Sequence, residues 1–71
     1  MRQPRTANHV LLTDGMTVWD SNLDRVTVDL SRSFEENGEI WFYATKTTGG
    51  RREMVSESRT TTRHPFTGEQ A

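Results

Sequence analysis

The side chains that could carry out nucleophilic or acid–base chemistry in this 71-residue chain are few and far apart. Acyl transfer requires a hydroxyl nucleophile, a general base and a group that orients the base, all within hydrogen-bonding reach. The candidate groups are Ser56, Ser58, His9 and His64. Neither serine stands in a recognised nucleophile motif, and neither histidine falls inside a predicted strand that would fix its ring. We therefore predict that the protein is not an enzyme.

Metal ions and cofactors also lack a suitable set of ligands in the sequence. No cysteine is present, which excludes disulfides and thiolate zinc sites. Asp20 and Asp24 are four residues apart, but their segment lacks the central glycine and the final glutamate of an EF-hand loop. A turn rich in Asp, Asn and Ser explains that spacing. The Gly49–Arg52 segment is too short for a phosphate-binding loop, and the sequence predicts no cofactor and no metal site.

Large aromatic side chains are the strongest indication of function. In strands whose aliphatic residues face inward, Trp19, Trp41 and Tyr43 are predicted to face outward, because successive side chains alternate between the two faces. Exposed aromatic rings bury a large area at a small entropic cost, which favours recognition of another protein. The alternative interpretation is that these rings pack under the segment 31–38 or against a second copy of the chain.

Four arginines lie after Trp41 and Tyr43 in the sequence, and they suggest a second class of partner. They are Arg51, Arg52, Arg59 and Arg63. In small β-barrels that bind nucleic acids, aromatic rings stack on bases while arginines contact phosphates. The net charge of −1 is unlike that of a sequence-independent nucleic-acid binder, which normally carries a clear positive excess. A protein partner is therefore favoured over nucleic acid, and a structural homo-oligomer such as a homodimer is the third hypothesis.

Short β-strands must position these side chains, because apolar residues repeat at a period of two and no window repeats them at helical spacing. The alternation is clearest at residues 25–30 and 39–45. Asn37-Gly38 and Gly49-Gly50 are dipeptides that accept the positive φ of hairpin turns. The predicted strands are residues 10–13, 16–20, 25–30, 39–45, 51–56 and 60–63, with a loop at 31–38 and a tight turn at 57–59.

Length and composition limit the chain to one small domain. We predict a flexible N-terminal segment at residues 1–8, a β-barrel domain at 9–63 and a flexible, disordered tail at 64–71. A core of this size supplies only about 3–5 kcal/mol, so a partner or a second copy would add stability. No apolar run has the length of a signal peptide or a membrane span. The expected location is the cytoplasm, without membrane contact.

The order of elements over Val10–Arg63 resembles that of an SH3-like barrel, the fold shared by KOW and Tudor modules. Gly15-Met16-Thr17-Val18 is similar to the Gly-x-x-Val step at the start of KOW modules. The resemblance implies an all-β barrel of five to six strands. The segments Asp14–Asp20, Trp41–Tyr43 and Arg59–Arg63 also look like parts of short uncharacterised proteins from high-GC Gram-positive bacteria and their phages, a likeness that implies no particular activity.

Overall fold

Four antiparallel strands form a single curled sheet whose strand order is the order of the sequence. The computed structural model describes residues 1–71 and shows a half-barrel with no α-helix. The all-β prediction is confirmed, whereas the sheet has four strands instead of the predicted five or six. The strands are β1 (Thr17–Trp19), β2 (Arg25–Glu36), β3 (Glu39–Lys46) and β4 (Arg52–Ser56), and a 3₁₀ turn at Glu57–Arg59 follows β4.

Both predicted hairpin turns are confirmed, because each contains residues that tolerate a positive φ. Asn37 and Gly38 join β2 to β3 with φ values of 54° and 79°, as a two-residue type I′ turn requires. Between β3 and β4, Gly50 adopts a φ of 70° and donates its N–H to the carbonyl of Lys46. The N–H of Lys46 in turn donates to the carbonyl of Arg51 at 2.7 Å. This pattern is a G1 bulge, and it sets the register of the β3–β4 ladder.

The core lies on the concave face of the sheet, where alternate residues of neighbouring strands meet. Val26 and Val28 of β2 are buried, as are Phe42 and Ala44 of β3, and the intervening side chains are more exposed. Because one face of each strand is packed and the other solvated, the period of two is the expected sequence signature. The predicted inward faces of 25–30 and 39–45 are therefore confirmed. Leu12, Val18 and Ile40 complete the set of fully buried aliphatic side chains.

The segment 31–38, predicted as a loop, is mostly strand. β2 continues to Glu36, but its pairing with β3 is interrupted after the Asp29–Tyr43 pair and resumes at the Phe34–Trp41 pair. Five residue steps on β2 thus match two on β3. The polar composition of the segment suggested a loop, yet polar residues are compatible with an exposed strand whose partner and turn are both strongly specified.

Two predicted strands are reduced to isolated bridges. In the segment 10–13 only Leu11 pairs, with Arg5, and in 60–63 Thr61 pairs with Trp19 of β1. Thr61 and Trp19 exchange both backbone hydrogen bonds, at 2.8 and 3.0 Å. The hydroxyl of Thr61 accepts the backbone N–H of Arg63. Because this local hydrogen bond competes with further pairing to β1, the chain leaves the sheet after Thr61.

The carboxylate of Glu57 holds the N-terminal segment against the sheet. Glu57 is 6% exposed, pairs with the guanidinium of Arg2, and accepts the backbone N–H groups of Arg5 and Ile40 at 3.0 Å each. The hydrogen bond from Arg2, supported by the two backbone donors and opposed by burial, lowers the pKa of Glu57 from 4.5 to about 2. Residues 1–8 therefore pack on the 3₁₀ turn and β3, and their predicted flexibility is not confirmed.

Candidate functional site

The convex face of β2, β3 and β4 carries a continuous group of large side chains. Cross-strand pairing places Phe34 beside Trp41 and Tyr43 beside Met54, and paired residues share a face of the sheet. Phe34 is 39% and Met54 40% exposed, while Trp41 and Tyr43 are half-buried. We call these four residues the aromatic patch. The predicted outward orientation of Trp41 and Tyr43 agrees with this arrangement.

Sequence reasoning missed two members of the aromatic patch. Met54 lies in a predicted strand, two residues after Arg52 and on the same face of it. That face is identified as the convex one only by the register that pairs Met54 with Tyr43. Phe34 lies in the segment predicted as a loop, and strict alternation from Val28 would place it on the inner face. Only the irregularity in β2 brings Phe34 to the convex face opposite Trp41.

Arg52 forms the polar border of the aromatic patch. Its guanidinium lies 4.4 Å from the centre of the Tyr43 ring and donates a hydrogen bond of 2.9 Å to the carboxylate of Asp29. The pKa of Asp29 is lowered, first by hydrogen bonds from the hydroxyl and N–H of Ser31 and then by the charges of Arg52 and Arg32. The charge of Arg52 is therefore offset by Asp29, while its guanidinium keeps the Tyr43 ring oriented along the sheet.

Trp19 is covered, and the prediction that it is exposed is wrong. It is only 7% exposed because the C-terminal residues fold over it. Its indole N–H donates to the carbonyl of Glu69 at 2.9 Å, and the His64 ring meets it edge-on with centres 4.9 Å apart. The guanidinium of Arg25 lies 4.8 Å from the Trp19 ring and pairs with the Glu69 carboxylate. Residues 64–71 thus form a cover in this structure, and their predicted disorder is not confirmed.

The four predicted arginines do not converge on one surface. Arg51 and Arg52 lie at the β3–β4 hairpin, whereas Arg59 lies in the 3₁₀ turn beyond the other end of β4. The five residues of β4 separate these ends by roughly 13 Å at the usual rise per residue. Arg63 directly precedes the tail, and its backbone pairs with Gln70 of the tail. Of the four, only Arg52 makes a cation–π contact with a ring of the aromatic patch.

A groove of about 500 Å³ runs along the outer edge of β4. Met54, Val55 and Ser56 form one wall, and the turn at residues 20–22 forms the opposite wall. Trp41 also lines the groove, so the groove is continuous with the aromatic patch. Its charged side chains are Asp20, Glu39, Glu53 and Arg59.

The groups considered for catalysis are not assembled. The Nδ1 atom of His64 accepts the backbone N–H groups of Phe66 and Thr67, both at 3.2 Å, so it orders the tail instead of contacting a serine. No group of three His, Asp or Glu side chains is arranged to hold a metal ion. The structure also contains no helix with the length and apolar character needed to cross a bilayer.

Comparisons with known proteins give no relative for this chain. No protein-family model matches it, and neither a curated protein nor a solved structure matches it. Function must therefore be inferred from the aromatic patch and the adjacent groove.

Proposed function

We propose that the protein is a small, non-catalytic cytoplasmic module that binds another protein through the aromatic patch. The exposure of Phe34 and Met54 on the same face as Trp41 and Tyr43 is the observation that carries this proposal. Contiguous exposed apolar surface is unusual on small soluble domains and marks interaction sites. Aromatic and methionine side chains are enriched at the centres of such interfaces, and arginine is common beside them.

We also propose that the domain belongs to the SH3-like class of barrels. The 3₁₀ turn after β4 and the return of Thr61 to pair with Trp19 of β1 support this assignment. That connection brings the end of the chain back to the first strand, which is the step that closes a small barrel.

A protein partner is favoured over nucleic acid by the distribution of charge. The net charge is −1, the arginines are divided between the two ends of β4, and Arg52 is paired with Asp29. A nucleic-acid surface would require these cations to be unpaired and clustered. A homodimer through the aromatic patch is the second candidate, because the exposed side chains of Phe34 and Met54 would be buried equally well by a second copy.

Capture of partners from a lysate of the source cells tests the proposal. The double variant Trp41→Ala with Tyr43→Ala is expected to lose at least tenfold in capture, since losing an interface hot spot costs about 2 kcal/mol or more. Phe66→Ala is the matched control, because Phe66 is 84% exposed but lies on the tail, away from the patch. Equal capture by the double variant and the control would refute the proposal. Light scattering over a range of concentrations separates the homodimer from a foreign partner.

A further inference from the structure

The outer edge of β4 has backbone groups that no other part of the chain pairs. The hydrogen bond from Lys46 N–H to Arg51 fixes the phase of the antiparallel ladder. Glu53 and Val55 therefore bond to β3, whereas Arg52 and Met54 direct their N–H and C=O groups away from it. These two residues make no backbone hydrogen bond to any turn, loop or side chain. An edge of this kind is a template for another strand.

The groove beside this edge leaves room for a single extended chain. Its volume of about 500 Å³ is bounded by Met54 and Ser56 on one side and by the turn at residues 20–22 on the other. A strand of a second folded copy is already paired along one edge to the rest of its own sheet, so it would bring a whole domain against the opposite wall. An isolated extended peptide has no such bulk, which favours a peptide over the β4 strand of a second copy.

The groove has an excess of negative charge. It is lined by Asp20, Glu39 and Glu53 against a single arginine, Arg59. Glu53 also has Lys46 and Arg51 at 3.7 and 3.8 Å, so the negative charge that is not offset lies at Asp20 and Glu39. Asp20 is 3% exposed, and its Oδ2 atom is the one buried side-chain oxygen or nitrogen that has no hydrogen-bond partner. Such an acceptor is costly unless a donor is supplied. Basic side chains would complement this wall of the groove.

We propose that the free edge of β4 binds an extended peptide segment of a partner protein as an added strand, with alternating basic and apolar side chains. The residue opposite Glu53 would direct a Lys or Arg side chain towards the acidic groove. Its neighbours would lie on the convex face beside Met54 and Tyr43. This inference rests on the proposed function, because it assigns the class of segment that the aromatic patch recognises. Main-chain pairing supplies affinity and the alternate pockets supply specificity, as in other cases of strand addition.

Nuclear magnetic resonance titration with a synthetic probe tests the inference on the full chain. The probe is a short capped peptide in which lysine and valine alternate. The backbone amide signals of Arg52 and Met54 are expected to shift, and amide exchange at Met54 is expected to slow by about tenfold or more on saturation. A peptide with glutamate in place of lysine, and a lysine peptide with N-methylated backbone amides, are expected to bind at least about tenfold more weakly.

A proline at the edge separates backbone pairing from side-chain contact. Met54→Pro removes the outward N–H without removing a β3–β4 hydrogen bond, because proline is tolerated on the free side of an edge strand. Met54→Ala is the matched control, since it shortens the side chain but keeps the N–H. Both variants lose the methionine side chain, so the lysine peptide is expected to bind Met54→Pro about tenfold or more weakly than it binds Met54→Ala. If Met54→Pro does not fold, the N-methylated peptide makes the same test on the unaltered chain.

Four outcomes of the binding and exchange measurements would overturn the inference. The first two are unshifted amide signals of Arg52 and Met54, and equal affinity for the N-methylated and unmodified peptides. The third is amide protection of Met54 that rises with protein concentration without peptide, and the fourth is the same shifts from a single-stranded oligonucleotide. The third result would identify a second copy, and the fourth a nucleic acid. Partner capture that is lost in Trp41→Ala with Tyr43→Ala but kept in Met54→Pro would leave the proposed function standing and reject strand addition.

Discussion

Trp19 and Trp41 have equivalent positions in the sequence pattern but opposite environments in the fold. Each lies next to a fully buried aliphatic or aromatic residue, Val18 or Phe42, and each is therefore directed away from the core. The C-terminal residues cover Trp19, whereas Trp41 borders an open groove. The comparison shows that alternation determines the face of a sheet on which a ring lies. Exposure is determined by segments that have no periodicity.

The two environments also differ in the kind of contact that holds the ring. Trp19 has a hydrogen bond to Glu69, an edge contact with His64 and the guanidinium of Arg25. On the convex face, the structure shows a cation–π contact only for Tyr43, from Arg52. A ring that is fixed within its own chain serves stability, and a ring left open is available to a partner.

Deleting residues 64–71 should uncover the Trp19 ring, so that Trp19 becomes partly exposed to solvent, as Trp41 is. Uncovering on the order of 100 Å² of ring surface is expected to cost roughly 2–3 kcal/mol in the free energy of unfolding. Denaturant titration measures this loss, and acrylamide quenching measures exposure in a Trp41→Phe background, where Trp19 is the only tryptophan. Quenching is expected to rise. Phe66→Ala should change neither quantity appreciably, and a truncated chain with unchanged quenching would show that the tail does not cover the ring.

Glu57→Gln should lower the free energy of unfolding, because Glu57 holds the N-terminal segment against the sheet. The difference in solvent exposure between Trp19 and Trp41 should not change. The folded pKa of Glu57, about 2, lies below the ordinary value of 4.5, so the carboxylate stabilises the fold above pH 4.5 and this contribution is lost as the pH falls from 4.5 to 2. We expect a loss of about 1–3 kcal/mol at neutral pH.

Unfolding titrations of both chains between pH 7 and pH 2 measure this contribution. Parallel pH profiles for the unaltered chain and for Glu57→Gln would contradict the assignment, as would a change in the quenching of Trp19.

Replacing each tryptophan in turn by phenylalanine gives two matched variants, which measure how much each ring contributes to stability. Trp19→Phe removes the hydrogen bond to the carbonyl of Glu69 and is expected to destabilise the fold by about 1 kcal/mol or slightly more. Trp41→Phe removes no hydrogen bond found in the structure, and its cost should stay below about 0.5 kcal/mol. Thermal unfolding of the two variants under the same conditions is the measurement. Equal losses would mean that the two rings are held alike.

Replacing Arg52 is expected to have a smaller effect than Trp19→Phe. Arg52→Met keeps an apolar stem over Tyr43 but removes the charge, and a cation–π contact at an exposed position is worth about 0.5–1 kcal/mol. The pKa of Asp29 should rise by a small amount, because Arg52 contributes less to it than Ser31 does. Chemical shifts of the Asp29 carboxyl carbon against pH report this change. A large change would assign Arg52 a greater role than the structure does.

The sequence was sufficient to predict the parts of the fold that are specified by local rules. Asn37-Gly38 strongly favours a tight turn. The aliphatic residues of 25–30, like those of 39–45, all lie on one face of their strand, so that face must be the buried one. From these rules follow the β2–β3 hairpin, the inward positions of Val28 and Phe42, and the outward positions of Trp41 and Tyr43. All of these depend on neighbours a few residues away.

The missed features depend on contacts between distant parts of the chain. Neither Glu69 nor His64 has a sequence pattern that points to Trp19, some fifty residues earlier, and the polar residues after Leu30 gave no sign that β3 would pair with them. Within the candidate site, the alternation predicted Trp41 and Tyr43, and only the register of the strands added Phe34 and Met54. The predicted cluster of four arginines failed because the length of β4 separates them.

The irregular stretch between Asp29 and Phe34 has a consequence for how this surface can change during evolution. An odd number of steps on β2 matches an even number on β3, so the stretch reverses which residues of β2 face outward. Deleting a single residue there would match four steps on β2 to two on β3, so ordinary alternation alone would keep Phe34 on the convex face opposite Trp41. The aromatic patch would therefore persist through the loss of one residue at this position, because the turn at Asn37-Gly38 holds the end of β2 in register with β3.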